Sequence, residues 1–217
     1  MTYKIKHVAE EIHMIKDIIP VSYQNAIIDR MQGENFFPWF LLHKIGHKDY
    51  FTADQKDIYI DPNVTDDSGF FHIIQDDAEI RSAHYDFFRM ILEFYCEKTG
   101  KTIDQIFRIR ARYTSPSPGH NSTKYAAPHI DYPNNSDYTT LIYYVNDADG
   151  DTILFDKMFN PQTDVYNPVL NEKITEVYRH TPKKGEALIF NGHRYHSGNF
   201  PINHSSRIVL NFDFLEH

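Results

Sequence analysis

Apolar residues recur at helical spacing in two stretches of the chain. Phe87, Phe88, Ile91, Leu92 and Tyr95 mark one face of a helix predicted over about 82–98, and Thr99-Gly100 supplies its stop. A second helix is expected after Ser22, carrying Ala26, Ile27 and Met31, behind the strand-like run IHMIKDII. Segments 36–45 and 70–74 read as strands between polar turns. Beyond residue 100 the pattern changes to short runs of β-branched and aromatic residues separated by Gly, Pro, Asn and Asp. These are IFRIRARY (106–113), DYTTLIYYV (137–145), DTILFD (151–156), KITEVY (173–178), GEALIF (185–190) and RIVLNFDF (207–214). Strands at this spacing predict a mainly β fold with flanking helices (α+β) around a double-stranded β-helix, or jelly-roll, core. The chain reads as one domain over 1–217. Residues 1–105 supply helices and supporting strands, and 106–217 form the core. Two long polar loops, 114–124 and 157–171, are expected at the mouth of a site.

Composition narrows the partners. A chain of 217 residues can bury a sizeable single core. Its net charge of −8 argues against a nucleic-acid backbone as ligand, while a small anion can still be drawn to a local basic group. Cys96 is the only cysteine, so no intrachain disulfide forms and a reducing, cytoplasmic setting is expected. The first twenty residues carry charges throughout, with no apolar run long enough for a signal peptide or a membrane span. Oligomeric state is not legible from the sequence.

Candidate chemistry lies in three His-x-Asp pairs: His47/Asp49, His84/Asp86 and His129/Asp131. On a strand, residues i and i+2 project from one face and can reach one metal; on a helix they diverge by about 200°. The second pair falls in the predicted helix, and the first sits in a polar stretch without strand pattern. Both read as surface residues. The third is followed in order by TTLIYYVND, GDTILF, GEALIF, HSGNFP and Arg207.

That ordered set, spanning about 106–217, resembles the Fe(II)- and 2-oxoglutarate-dependent dioxygenases, in particular their prolyl 4-hydroxylase-like branch. The resemblance implies that His129, Asp131 and His196 hold Fe(II), the metal suited to two imidazoles and a carboxylate with open positions. It implies that Arg207 holds the distal carboxylate of 2-oxoglutarate, and that Thr152 and Tyr113 add hydrogen bonds to this cosubstrate. The implied reaction is hydroxylation of a carbon on a peptidyl side chain, such as proline, or on a small amino-acid-like molecule. It consumes O2 and yields succinate and CO2, with ascorbate in support. The chain departs from the pattern at Asp149, which replaces a glycine, at Ile153-Leu154, which adds a residue before Phe155, and in the length of the 114–124 loop. The nucleic-acid demethylase branch fits less well, because RIVLNFDFLEH lacks that branch's second arginine. Two other readings stay open: a cupin-type metal site working without 2-oxoglutarate, and a non-catalytic jelly-roll binding module. His193, three residues before His196, is a rival ligand; Asn191-Gly192 predicts a turn that places it off the strand.

Overall fold

A computed structural model describes residues 2–4, 12–33, 36–43, 63–65, 68–133, 137–164 and 173–217. Numbered in chain order, one large antiparallel sheet contains β1 (Thr2–Lys4), β2 (Ile12–Ile15), β3 (Phe40–Leu42), β5 (Gly69–Asp76), β6 (Glu79–Ile80), β7 (Ile103–Thr114), β9 (Thr139–Tyr144), β12 (Ala187–Asn191) and β14 (Arg207–Glu216). Their order across the sheet is β1-β2-β12-β9-β14-β7-β5-β3, with β6 paired to β5. A second sheet has β10 (Thr152–Met158) between β11 (Glu176–His180) and β13 (Arg194–Gly198). A short parallel pair joins β4 (Val64–Thr65) to β8 (Tyr125–Ala126). Strands from both ends of the chain share the large sheet, since β2 pairs with β12 and β5 with β7.

Period-2 alternation gives the large sheet two different faces. Leu141, Tyr143, Ile189, Ile208, Leu210 and Phe212 point to one side, where α1 (Val21–Gln32) and α2 (Tyr85–Thr99) cover them. Phe88, Ile91, Leu92 and Tyr95, at the spacing read from the sequence, are the α2 residues of that layer. Gly100 ends α2 in the left-handed region, at φ 73°, with its N–H on the Cys96 carbonyl, which glycine does without steric penalty. The opposite face meets the small sheet through Ile142, Tyr144, Leu188, Phe190 and Val209 against Leu154. This is the jelly-roll sandwich expected from the sequence.

Boundaries differ by a few residues from those expected. Strand β13, RYHSG, carries too little β-branched or apolar sequence to read as a strand; pairing with β10 makes it one. The strand expected over 36–45 is confined to β3, and residues 44–45 lie outside the described ones. At Asp149, where the resemblance implies a glycine, the carboxylate caps the turn at 202–204, accepting from the Ile202, Asn203 and His204 N–H groups. Those bonds hold it well below the usual carboxylate range. Among the described residues, no helix is long and apolar enough to cross a membrane.

Candidate metal centre

The two histidines predicted as ligands are tied together by their backbones. His129 follows β8 and His196 is the middle residue of β13; each donates its N–H to the other's carbonyl at 2.9 Å, forming an isolated bridge. Their rings lie 4.7 Å apart between centroids. Asp131, two residues along from His129, brings Oδ1 to 3.8 Å from His129 Nε2 and Oδ2 to 3.2 Å from His196 Nε2. One ligand atom from each of the three residues falls within a 4.8 Å span. Among the described residues this is the one such group of three or more.

Hydrogen bonds select the tautomers. His129 Nδ1 sits 2.9 Å from the Ala127 carbonyl and His196 Nδ1 3.2 Å from the Arg194 carbonyl. A carbonyl only accepts, so both Nδ1 atoms carry the proton and both Nε2 atoms present lone pairs. His196 Nε2 is buried and makes no hydrogen bond despite its closeness to Asp131. Burial first, then the neighbouring His196, pushes the His129 imidazole down to about 3, so it is neutral. Burial opposes ionisation of Asp131, but Arg108 outweighs it and holds the carboxyl well below its ordinary range. Two imidazole Nε2 atoms, one of them buried without a hydrogen bond, and one carboxylate are the donor set a divalent transition metal takes.

The support around Asp131 was not anticipated from the sequence. Arg108 on β7 lies 2.5 Å from Asp131 Oδ1 and 3.1 Å from Asp213 Oδ2, and Asn211 donates to Asp131 Oδ2 at 3.1 Å. Thr140 donates to the other oxygen of Asp213, which is fully buried. Burial pushes Asp213 up to about 6, against the pull of Arg108. Every one of these side chains stands on the inward face of β14, β7 or β9.

A cavity beside the triad is lined by Arg112, Thr114, Ile142, Thr152, Arg207 and Asn211 as well as by both histidines. Arg207, buried at the start of β14, donates from Nε to the Gly150 carbonyl at 2.7 Å and from Nη2 to Thr152 Oγ1 at 2.9 Å. Tyr144 donates to the same Thr152 oxygen at 2.8 Å. A Cβ on Gly150 would stand 2.9 Å from Arg207 Cδ and 2.6 Å from the Asn199 carbonyl oxygen, so glycine is needed for the guanidinium to pass. Thr152 and Arg207 therefore meet in one cavity.

Tyr113 does not join them. It packs on Trp39 and Phe70 on the helix-covered face, because alternation along β7 sends Arg112 and Thr114 inward and Tyr113 outward. The hydrogen-bonding role implied for Tyr113 is corrected accordingly, and Tyr144 is the tyrosine on the site side. His193 occupies the turn between β12 and β13 and packs against Tyr138 and Phe159, away from the three ligands. His84 stands at the N-terminus of α2, and His47/Asp49 lies outside the described residues. The 114–124 loop reaches the cavity rim, where His120 contacts Asn199 and packs on Phe200. Of the 157–171 loop, residues 165–171 lie outside the described ones.

No protein-family model and no curated protein matches the sequence. The fold does match solved structures. It is similar to a 2OG-Fe(II) oxygenase family oxidoreductase from Burkholderia pseudomallei, at 14% identity and TM-score 0.57, covering 94% of this chain and 84% of that one. It is similar to the epimerase SnoN in complex with Fe3+, α-ketoglutarate and nogalamycin RO, at 10% identity and TM-score 0.52, over 94% and 78%. A prolyl hydroxylase from Trichoplax adhaerens, in complex with a hypoxia-inducible-factor peptide fragment, matches at 12% identity and TM-score 0.52, over 94% and 83%. The chain thus has the jelly-roll fold of the 2OG-Fe(II) oxygenases.

Proposed function

We propose that the protein is an Fe(II)- and 2-oxoglutarate-dependent oxygenase that hydroxylates a carbon of a peptidyl side chain or a small amino-acid-like molecule. One observation carries this reading. Two histidine Nε2 lone pairs and an ionised carboxylate converge beside a cavity whose wall holds a buried arginine. His129, Asp131 and His196 would hold the metal, and Arg207 and Thr152 would hold the cosubstrate's distal carboxylate. Iron and 2-oxoglutarate, when bound, supply the oxidative decarboxylation that drives hydroxylation and leaves succinate and CO2.

The chain's own residues set the conditions for that chemistry. The Ala127 and Arg194 carbonyls hold each imidazole in the tautomer a metal needs, so no proton has to leave Nε2 on binding. Arg108 and Asn211 fix the rotamer of Asp131, leaving its Oδ2 edge toward His196. Thr152 and Gly150 orient the guanidinium of Arg207, which stays charged at working pH and can meet a carboxylate with paired hydrogen bonds. Ile142 and Val209 line the cavity and exclude water from the space between. The lone Cys96 supports a reducing, cytoplasmic setting.

An anaerobic titration of Fe(II)-loaded protein with 2-oxoglutarate tests the proposal. A weak visible charge-transfer band that saturates with 2-oxoglutarate is expected. Tight iron binding without that band would point instead to a cupin-type site, and no iron binding at all would end the enzymatic reading.

A further inference from the structure

Strand β7 presents three arginines on its site-side face, and among the described residues only the first forms an ion pair. Arg108 faces Asp131 and Asp213. Arg110 and Arg112 follow at two-residue steps on the same face, opposite Asn211 and Val209 of β14, neither of which carries charge. Arg110 Nε is buried with no hydrogen-bond partner. The Arg112 guanidinium borders the cavity alongside His129 and Asn211 and forms no hydrogen bond or ion pair with any described residue. Burial first, then the preceding arginine on the strand, pushes both below the ordinary guanidinium range, Arg112 to about 10.

Burying a polar group without a partner is costly, and two like charges roughly 7 Å apart on one strand face add repulsion. A fold gains nothing from this arrangement in the absence of a ligand. The Arg112 guanidinium lines the cavity, with Arg110 one step along the same strand face, and such forks suit an oxyanion, which they bind by paired, charge-assisted hydrogen bonds. Arg207 is engaged elsewhere, by Gly150 and Thr152. The neighbouring strand adds a different surface: Phe71 is in register with Arg112 and Ile73 with Arg110, giving an apolar strip beside the cationic one.

We infer that Arg110 and Arg112 form an oxyanion subsite, distinct from that of Arg207, which holds a carboxylate or phosphate group of a small substrate beside the metal ligands. Phe71 and Ile73 then face the substrate's carbon skeleton. That the bound group belongs to a substrate rests on the proposed oxygenase function; the anion site does not.

Thermal unfolding of the wild type, Arg110→Met and Arg112→Met, in chloride and in inorganic phosphate or acetate at matched ionic strength, tests this. Methionine keeps much of the side-chain volume, and Arg112→Gln gives a second, polar replacement. Phosphate or acetate should raise the melting temperature of the wild type by a few degrees more than that of any variant, and which anion does so identifies the group recognised. Anions excluded from the surface stabilise all the proteins alike, so the variants remove that contribution. In titrations of the Mn(II)-loaded proteins, 2-oxoglutarate binding should weaken at least about tenfold less for Arg112→Met than for Arg207→Ala. An equal anion increment in all the proteins would overturn the inference. So would a loss of 2-oxoglutarate by Arg112→Met as large as that of Arg207→Ala, which would assign this guanidinium to the cosubstrate. A wild type with the anion increment but no 2-oxoglutarate binding would retire the oxygenase reading and leave the subsite standing.

Discussion

Replacing Arg207 with alanine separates the cosubstrate pocket from the metal ligands. The guanidinium is buried and has two fixed partners, the Gly150 carbonyl and Thr152 Oγ1, so its position in the unliganded protein is already that of a clamp. A carboxylate that loses a partly desolvated arginine partner loses about 2–4 kcal/mol. At about 1.4 kcal/mol per tenfold, 2-oxoglutarate should bind roughly 30- to 700-fold more weakly. The fold should suffer less. Leaving the Gly150 carbonyl without its donor costs about 1–3 kcal/mol. Removal of a buried cation that forms no ion pair with a described carboxylate offsets part of that cost. Arg207 touches none of the three ligands, so metal affinity should change by less than about threefold, a difference of under about 0.7 kcal/mol. Calorimetric titration of Mn(II)-loaded protein with 2-oxoglutarate, paired with a separate Mn(II) titration, reads both quantities. A folded Arg207→Ala protein that binds 2-oxoglutarate as tightly as wild type would refute the assignment of Arg207.

Three further outcomes are expected. His196→Ala should purify without iron while His193→Ala retains it, measured as metal content of the folded proteins; the reverse result would shift the ligand set by three residues. Arg108→Met should destabilise the protein by about 3–5 kcal/mol in denaturant titration, because Asp131 and Asp213 lose their shared counter-charge; adding Asp213→Asn should recover part of the loss. The metal-free protein should lose the stabilisation due to His129 as pH falls. The folded imidazole is held down to about 3 while the unfolded one titrates near 6.5, so between those values the unfolded chain binds the extra proton. The stability difference between wild type and His129→Gln should therefore shrink by about 1.4 kcal/mol per pH unit below about 6.5. Asp213, raised by burial, acts in the opposite sense but is common to both proteins. A difference that stays flat with pH would mean that His129 is not buried in the neutral form.

How far the sequence could be read depended on what each strand face meets. GEALIF and TTLIYY announce themselves because both of their faces are buried, one under helices and one under the small sheet. IFRIRARY is harder. Its alternation is plain, with Ile109, Ala111 and Tyr113 on one face and Arg108, Arg110 and Arg112 on the other. Alternation alone assigns charged residues to solvent. In the folded protein both faces are covered: Ile109, Ala111 and Tyr113 lie under the helices and the arginines face the site, so the alternation was right but charge did not mark a solvent face. RIVLNFDF held the corresponding clue: Arg207, Val209, Asn211 and Asp213 share a face, and a polar stripe on a strand otherwise suited to burial marks an interior site. Strand β13 could not have been found from composition, since RYHSG becomes a strand only through its partner β10. The candidate triad could be picked out because His129 and Asp131 lie two residues apart on one segment and His196 stands in a distinctive run; the support of Asp131 by Arg108 depends on register between β7 and β14, which no local pattern encodes.

The double hydrogen bond between His129 and His196 also bears on the order in which the native state is assembled. It joins positions 67 residues apart, from 129 to 196, and the intervening chain contributes β9, β10, β11 and β12 to two different sheets. Neither amide can find its partner until those strands have settled, so this pair should close late, among the long-range contacts that slow β-rich chains. Its loop-closure entropy, about 4 kcal/mol by the estimate for a cross-link of this length, is met by the completed sandwich and not by the pair itself. The exchange rates of two backbone amides, His129 and His196, thereby become a local gauge of whether the whole barrel is shut.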